Sequence, residues 1–198
     1  TGTLEELDLE PSGEFDNPGW IISERILVKS HDGVEVPLSL IYRKGLKLDG
    51  KNPTLLSGYG SYGSVSGVGY YTTRLPWLEK GGVYAIAHVR GGGEFGKEWH
   101  LAGRMQNKPN TWKDFIACAE YLIKEKYTSQ IYLWGQGGSA GGITIGRAIT
   151  ERPDLFQVAI INVGDLDMLR IETTTNGVPN IKEFGTVKDK DGFEGLLG

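Results

Sequence analysis

Histidine and cysteine are scarce in this sequence: 198 residues include three histidines, His31, His88 and His100, and one cysteine, Cys118. A lone cysteine excludes an internal disulfide and leaves the redox compartment undecided. It falls in a predicted helix, where it is expected to be a small core residue. No apolar run approaches the roughly 20 residues of a spanning helix, so a membrane span is not expected. Thr1-Gly2-Thr3-Leu4-Glu5-Glu6 has no signal-peptide character. Charge of one sign is lacking too. Twenty-one basic against 25 acidic residues give a net of -4 with no basic block, so neither nucleic acid nor an anionic membrane surface is an expected partner. The P-loop pattern Gly-x-x-x-x-Gly-Lys-Ser/Thr is absent. The only methionines are Met105 and Met168, the chain starts with Thr1, and Gly198 follows closely on the start of an amphipathic stretch. The chain reads as a piece of a longer protein.

What is present in abundance is glycine, 30 residues of it. Length and a 39% hydrophobic content suit one domain with one sizeable core. Residues 1–20 are acidic and hold Pro11, Gly13, Pro18 and Gly19, which suits a linker or the tail of a preceding domain. Glu24 to Lys29 and Val34 to Arg43 read as strands joined at His31-Asp32-Gly33, an Asp-Gly hairpin signal that makes His31 an exposed turn residue. After a polar loop, Lys44 to Asn52, Pro53 to Ser57 reads as a short buried strand. Pro76 to Lys80 reads as a helix end closed by Gly81-Gly82, and Val83 to Val89 as a strand buried on both faces. His88 is then a core or strand-end residue and His100 a loop or packing residue. Between Asn110 and Lys126, Trp112, Phe115, Ile116, Ala119, Leu122 and Ile123 form a helical core stripe, with Thr111 and Asp114 spaced for a capping box. Ile131 to Trp134, Ile143 to Thr150 and Gln157 to Val163 continue as strand, helix and strand. That order predicts a mostly parallel α/β sheet with right-handed crossovers behind an N-terminal antiparallel hairpin. The last 30 residues read as a long loop.

At the corner between the strand ending at Trp134 and the helix from Ile143 lies Gly135-Gln136-Gly137-Gly138-Ser139-Ala140-Gly141-Gly142. Gly137 to Gly141 fits Gly-x-Ser-x-Gly, the turn that presents a nucleophilic serine at the top of an α/β-hydrolase sheet. Such a turn strains the serine backbone, and a Cβ two residues before or after it would strike the neighbouring strand or helix. The competing reading is a dinucleotide site. Gly-x-Gly-x-x-Gly occurs at Gly58/Gly60/Gly63 and Gly91/Gly93/Gly96, and its Ala-ended form at Gly135/Gly137/Ala140. The first lacks a following helix, the second has only a weak one at Lys97 to His100, and the third meets Asn162-Val163-Gly164 where a ribose-binding acid belongs, with Asp165 the nearest candidate. In the hydrolase reading Ala140 supplies a backbone N–H to an oxyanion, and Tyr59, held between two glycines after the strand at Pro53 to Ser57, offers a phenol as the second donor. A third reading is a non-catalytic fragment pairing through an open sheet edge at Gln157 to Val163.

Leu55 to Tyr62, Val89 to Gly96, Ala119 to Ile123 and Gly137 to Gly142, in this order and near these spacings, resemble the catalytic domain of the prolyl oligopeptidase family of serine peptidases, oligopeptidase B included. The resemblance runs from about Glu24 to Gly185. It implies an α/β-hydrolase fold whose C-terminal strands lie outside this chain, residues 21–198 being the N-terminal part of the peptidase domain. It also implies Ser139 as nucleophile, Tyr59 and Ala140 as oxyanion donors, short peptides as substrates, a preceding β-propeller, no cofactor or metal, and a cytosolic or periplasmic location. Tyr62 matches the aromatic beside the proline pocket, whereas Asn180 stands where prolyl-specific members place tryptophan, which puts proline preference in doubt. The family's aspartate and histidine follow the serine, and residues 140–198 contain no histidine. A serine hydroxyl needs a base to take its proton. The expectation is therefore an inactive piece of an active serine peptidase.

Overall fold

The computed structural model describes Gly2, Gly13, Phe15, Asp16 and residues 18–197 other than Asn176. Most of the expected linker, residues 1–20, lies outside the described residues. Strands β1 (Ile21–Lys29) and β2 (Glu35–Arg43) form the expected hairpin. Gly33 closes its turn at φ 85°, a conformation glycine adopts without strain, and His31 is exposed on it. Strand β3 (Thr54–Gly58), helix α1 (Leu75–Glu79), strand β4 (Val83–Ala87), helices α2 (Lys97–Leu101) and α3 (Pro109–Lys124), strand β5 (Leu133–Gly138), helix α4 (Gly141–Glu151) and strand β6 (Val158–Asn162) follow. The sheet order is β1-β2-β4-β3-β5-β6. β1, β2 and β4 pair antiparallel, and β4, β3, β5 and β6 pair parallel. His88 directly follows β4, is 1% exposed, and is bonded to Ser39 and Glu94.

The core stripe on α3 holds: Trp112, Phe115, Ile116, Ala119 and Leu122 are buried with Cys118 among them. Gly58, at the end of β3, leaves room for Phe115, whose ring atom would lie 2.6 Å from a Cβ there. Three expectations change. Strand β5 begins at Leu133 rather than Ile131 and runs on through Gly138, into the glycine motif. Pairing supplies the reason: Leu133 to Gln136 pair with Thr54 to Ser57 of β3, and Gly135 to Gly138 with Ala159 to Asn162 of β6, which carries the ladder into the motif. The last 30 residues are not one long loop. Short 3-10 turns at Ile171–Thr173 and Val178–Asn180 and helices α5 (Ile181–Phe184) and α6 (Lys190–Leu197) fold there, with Phe184 4% exposed in the core.

The capping box does not form either. Helix α3 starts at Pro109, so Thr111 and Asp114 lie inside its first turns, facing the sheet. Thr111 Oγ1 donates to Arg90 O at 2.8 Å. Asp114, fully buried, accepts from Ser30 Oγ at 2.5 Å, from Arg90 N at 3.0 Å, and from Arg90 Nε and Nη2 at 2.9 and 2.6 Å. The guanidinium, 4% exposed, reaches Asp32 of the hairpin turn with its other edge, 2.6 Å away. A buried cation needs such partners more than a helix needs a cap. Lys108, 6% exposed, is a second buried cation, donating to Gly60 O and, at 2.6 Å, to Ser61 Oγ. Burial holds its ammonium down to about 8 from an ordinary 10.5, offset in part by the Glu183 carboxylate.

Two outcomes follow from these charges. Asp114→Ala strands the Arg90 guanidinium and is expected to lower the unfolding free energy by about 3–5 kcal/mol. Urea titration reads this as a fall in midpoint at unchanged slope, and a loss below about 1 kcal/mol would contradict the buried pair. For Lys108 the fold favours the neutral amine, so its contribution is fully present above about 10.5 and is lost as pH falls through about 8. The stability of the native protein minus that of Lys108→Met should therefore rise by on the order of 3 kcal/mol from about pH 7 to about pH 10.5. A difference that does not change with pH would show that this amine is not depressed.

Candidate active site

Strand order builds the site. The chain leaves β3 for β4 on one side of it and later returns to β5 on the other, so the loops after β3 and β5 part at neighbouring carboxyl ends. Ser57 is in register with Gln136, which brings Tyr59 and Ser139 off the sheet edge side by side. Ser139 is exposed and has φ 52°, a left-handed conformation that a side chain adopts only under constraint. Its N–H donates to Asn162 O at 2.9 Å, and its carbonyl accepts from Gly142 N at 2.8 Å and Asp165 N at 3.0 Å. The flanking glycines are required sterically. A Cβ on Gly137 would lie 2.4 Å from Gly141 O, one on Gly141 2.8 Å from Gly58 O, and one on Gly142 2.6 Å from the Gly164 Cα.

The Tyr59 ring packs across the start of α4, where a Cβ on Gly141 would lie 3.3 Å from its Cδ2, and its phenol is close enough to the Ser139 side chain to be influenced by it. Burial, with the carboxylates of Asp165 and Glu183 nearby, raises this phenol above its ordinary value, while the Ser139 side chain works the other way. The phenol therefore stays protonated at neutral pH and is available as a donor. Thr144 Oγ1, one turn into α4, donates to Tyr59 O at 2.9 Å and ties the loop to the helix behind the serine. Ala140, fully buried, heads α4, where the N–H groups have no carbonyl one turn earlier to bond.

Tyr62 and Asn180, 118 residues apart, meet. The Tyr62 hydroxyl donates to Asn180 Oδ1 at 2.8 Å, and its ring lies 6.5 Å from that of Tyr59 and edge-on to Phe184 at 5.6 Å. Burial, then the neighbouring Tyr59, Asp165 and Glu183, pushes the Tyr62 phenol up to about 12. All five candidate residues, Tyr59, Tyr62, Ser139, Ala140 and Asn180, thus line one end of the sheet. Sequence reading did not single out Thr144, Lys108 or Glu183, and took His100 for a loop or packing residue; the four hold the Tyr59 loop from behind. No local pattern marks them, because each meets the loop only in the folded chain.

Each histidine has other partners. His31 is bonded to Ser30, His88 to Ser39 and Glu94, and His100 to Glu183. A cavity of about 680 Å3, lined by Trp112, Ile143, Asp165, Met168, Phe184 and Leu196 among others, opens beside this crevice rather than in it. Neither Ser139 nor Tyr59 lines it, so this hollow is distinct from the reactive geometry. Among the described residues, no helix is long and apolar enough to cross a membrane, and no group of three or more His, Cys, Asp or Glu is placed to hold a metal ion.

The sequence and the fold are shared with known proteins. The chain is 44% identical over 192 residues to a prolyl endopeptidase of Elizabethkingia meningoseptica, covering 96% of this chain and 27% of that protein. It is 42% identical over 170 residues to Protease 2 of Moraxella lacunata, covering 85% of this chain and 24% of that one. It therefore spans about a quarter of the length of these curated relatives. A structure from a study of two prolyl endopeptidases superposes with a TM-score of 0.89 at 44% identity, over 91% of this chain and 27% of that one. Oligopeptidase B from Trypanosoma brucei with covalently bound antipain superposes at 0.86 and 38% identity, over 90% of this chain and 26% of that one. The mostly parallel sheet with its antiparallel start is thus an α/β-hydrolase fold. With residues 69–196 matching the description "Prolyl oligopeptidase family" as well, the chain belongs to that family.

Proposed function

We propose that this chain carries the nucleophile and the oxyanion site of a serine peptidase that cleaves short peptides through an acyl-enzyme. One observation carries the reading: an exposed serine in a left-handed turn at the head of α4 stands beside a phenol that burial keeps protonated. In this reaction the Ser139 Oγ attacks the scissile carbonyl carbon while its proton passes to a base. The carbonyl oxygen takes up the negative charge and is held by the Tyr59 O–H and the Ala140 N–H. Collapse of the intermediate expels the amine, which takes the proton back, and water then releases the acyl group by the same route.

In this reading the base belongs to the rest of the whole protein; in support, His31, His88 and His100 are each bonded to other residues. Residues 21–198 are then the first part of a peptidase domain, preceded in the whole protein by a β-propeller. Tyr62 and Asn180 form one wall of the pocket for the residue before the cut bond. Asn180 offers this pocket a polar amide, so selectivity for proline is not expected to be strict. The dinucleotide reading has little support: the Gly58 loop leads to no helix, and the Gly91 loop leads to only the five-residue α2.

The naturally encoded protein is expected to react with a fluorophosphonate at Ser139, and Ser139→Ala should abolish both labelling and peptide hydrolysis. Tyr59→Phe should lower kcat by about 10²–10³ with little change in KM, the effect of removing one oxyanion donor. Peptide hydrolysis that survives Ser139→Ala would refute the proposal.

A further inference from the structure

We infer that Glu183 is a positioning residue for the oxyanion phenol: its buried carboxylate ties the loop that carries Tyr59 to the segment that carries Asn180. The inference rests on the peptidase reading and adds to it the group that sets the geometry of the oxyanion donor. Three of the four residues from Gly60 to Gly63 have left-handed backbones, Gly60 at φ 70°, Tyr62 at φ 59° and Gly63 at φ 63°. A tyrosine holds that conformation only where its surroundings impose it. The imposing contact is Glu183 Oε1, which accepts the Tyr62 N–H at 2.8 Å across 121 residues of sequence.

The same carboxylate is committed on its other side. Oε2 is bonded to His100 Nε2 at 2.7 Å, so α2 fixes the direction in which the group points. Glu183 is 3% exposed, and the Lys108 ammonium that holds Gly60 O and Ser61 Oγ is charge-coupled to it. Phe184, the next residue, packs on the Tyr62 ring, while Asn180 one turn earlier accepts from its hydroxyl. Loop, pocket wall and α2 thus converge on two oxygen atoms. A well-packed apolar side chain often serves a core as well as a buried ion does, so packing alone does not account for this charge. A role in placing the phenol does, because a misplacement of about 1 Å can lower a rate on the order of a hundredfold.

The test is a double-mutant cycle in the naturally encoded protein, with kcat and KM measured on a short peptide. Glu183→Ala is expected to lower kcat on the order of tenfold or more when Tyr59 is present. In a Tyr59→Phe background the same change should cost less than about twofold, since no phenol remains to be misplaced. Should Glu183→Ala not fold, Glu183→Gln and His100→Ala take its place in the same cycle, with smaller losses and the same dependence on Tyr59. Equal losses in both backgrounds would overturn the inference and leave a purely structural carboxylate. Fluorophosphonate labelling of Ser139 separates the two failures. With labelling intact and an additive cycle only the positioning role falls, whereas hydrolysis surviving Ser139→Ala removes the peptidase reading itself.

Discussion

The constraint on which the site depends is the close approach of the start of α4 to the end of β3. Gly58 and Gly141 face each other so tightly that a Cβ on the second would lie 2.8 Å from the carbonyl of the first. That separation is what brings Ser139, at the head of α4, beside Tyr59, first off β3. Gly137 and Gly142 extend the same condition to the start of α4 and to the segment after β6. The left-handed backbone at Ser139 is the consequence. Strain of this kind costs on the order of 1–3 kcal/mol and persists because Asn162 O, Gly142 N and Asp165 N bind the serine backbone from both sides.

Around this contact the chain places its buried charges with some economy. Arg90 and Asp114 close the hairpin turn, the end of β4 and α3 on one another. Lys108 and Glu183, the latter with His100 as partner, do the same for the Tyr59 loop, α2 and α5. Each set joins parts of the chain far apart in sequence, and Arg90, Asp114, Lys108 and Glu183 are each met by more than one hydrogen bond, the condition under which a buried ion is tolerated. Hydrophobic burial alone is non-directional. Directional bonds of this kind are what can hold a loop of left-handed residues in one place.

Much of the fold was legible where periodicity is strong. The α3 stripe from Trp112 to Leu122, the apolar run at Val83 and the Asp-Gly hairpin each report a local preference that the tertiary structure upholds. Thr111 and Asp114 were misread, because the spacing of a capping box says nothing of Arg90, which arrives from β4 and claims both side chains. The final 30 residues were misread for a related reason. Their glycines and polar residues mimic a loop, while Phe184 and Glu183 are drawn into the interior by partners near positions 60, 100 and 108.

By itself the sequence determined that a serine would stand at a strand-to-helix corner between glycines, since steric exclusion of Cβ atoms is a local matter written in five consecutive residues. It likewise placed Tyr59 between Gly58 and Gly60, after a short strand. Only the tertiary structure decided that the two would meet. The strand order sends β4 and β5 to opposite sides of β3, and no stretch of sequence shorter than the whole sheet encodes which carboxyl ends become neighbours. It alone also decided that Tyr62 and Asn180 would touch and that Glu183 would anchor them, because hydrogen bonds between residues more than 100 positions apart exist only after the core has closed.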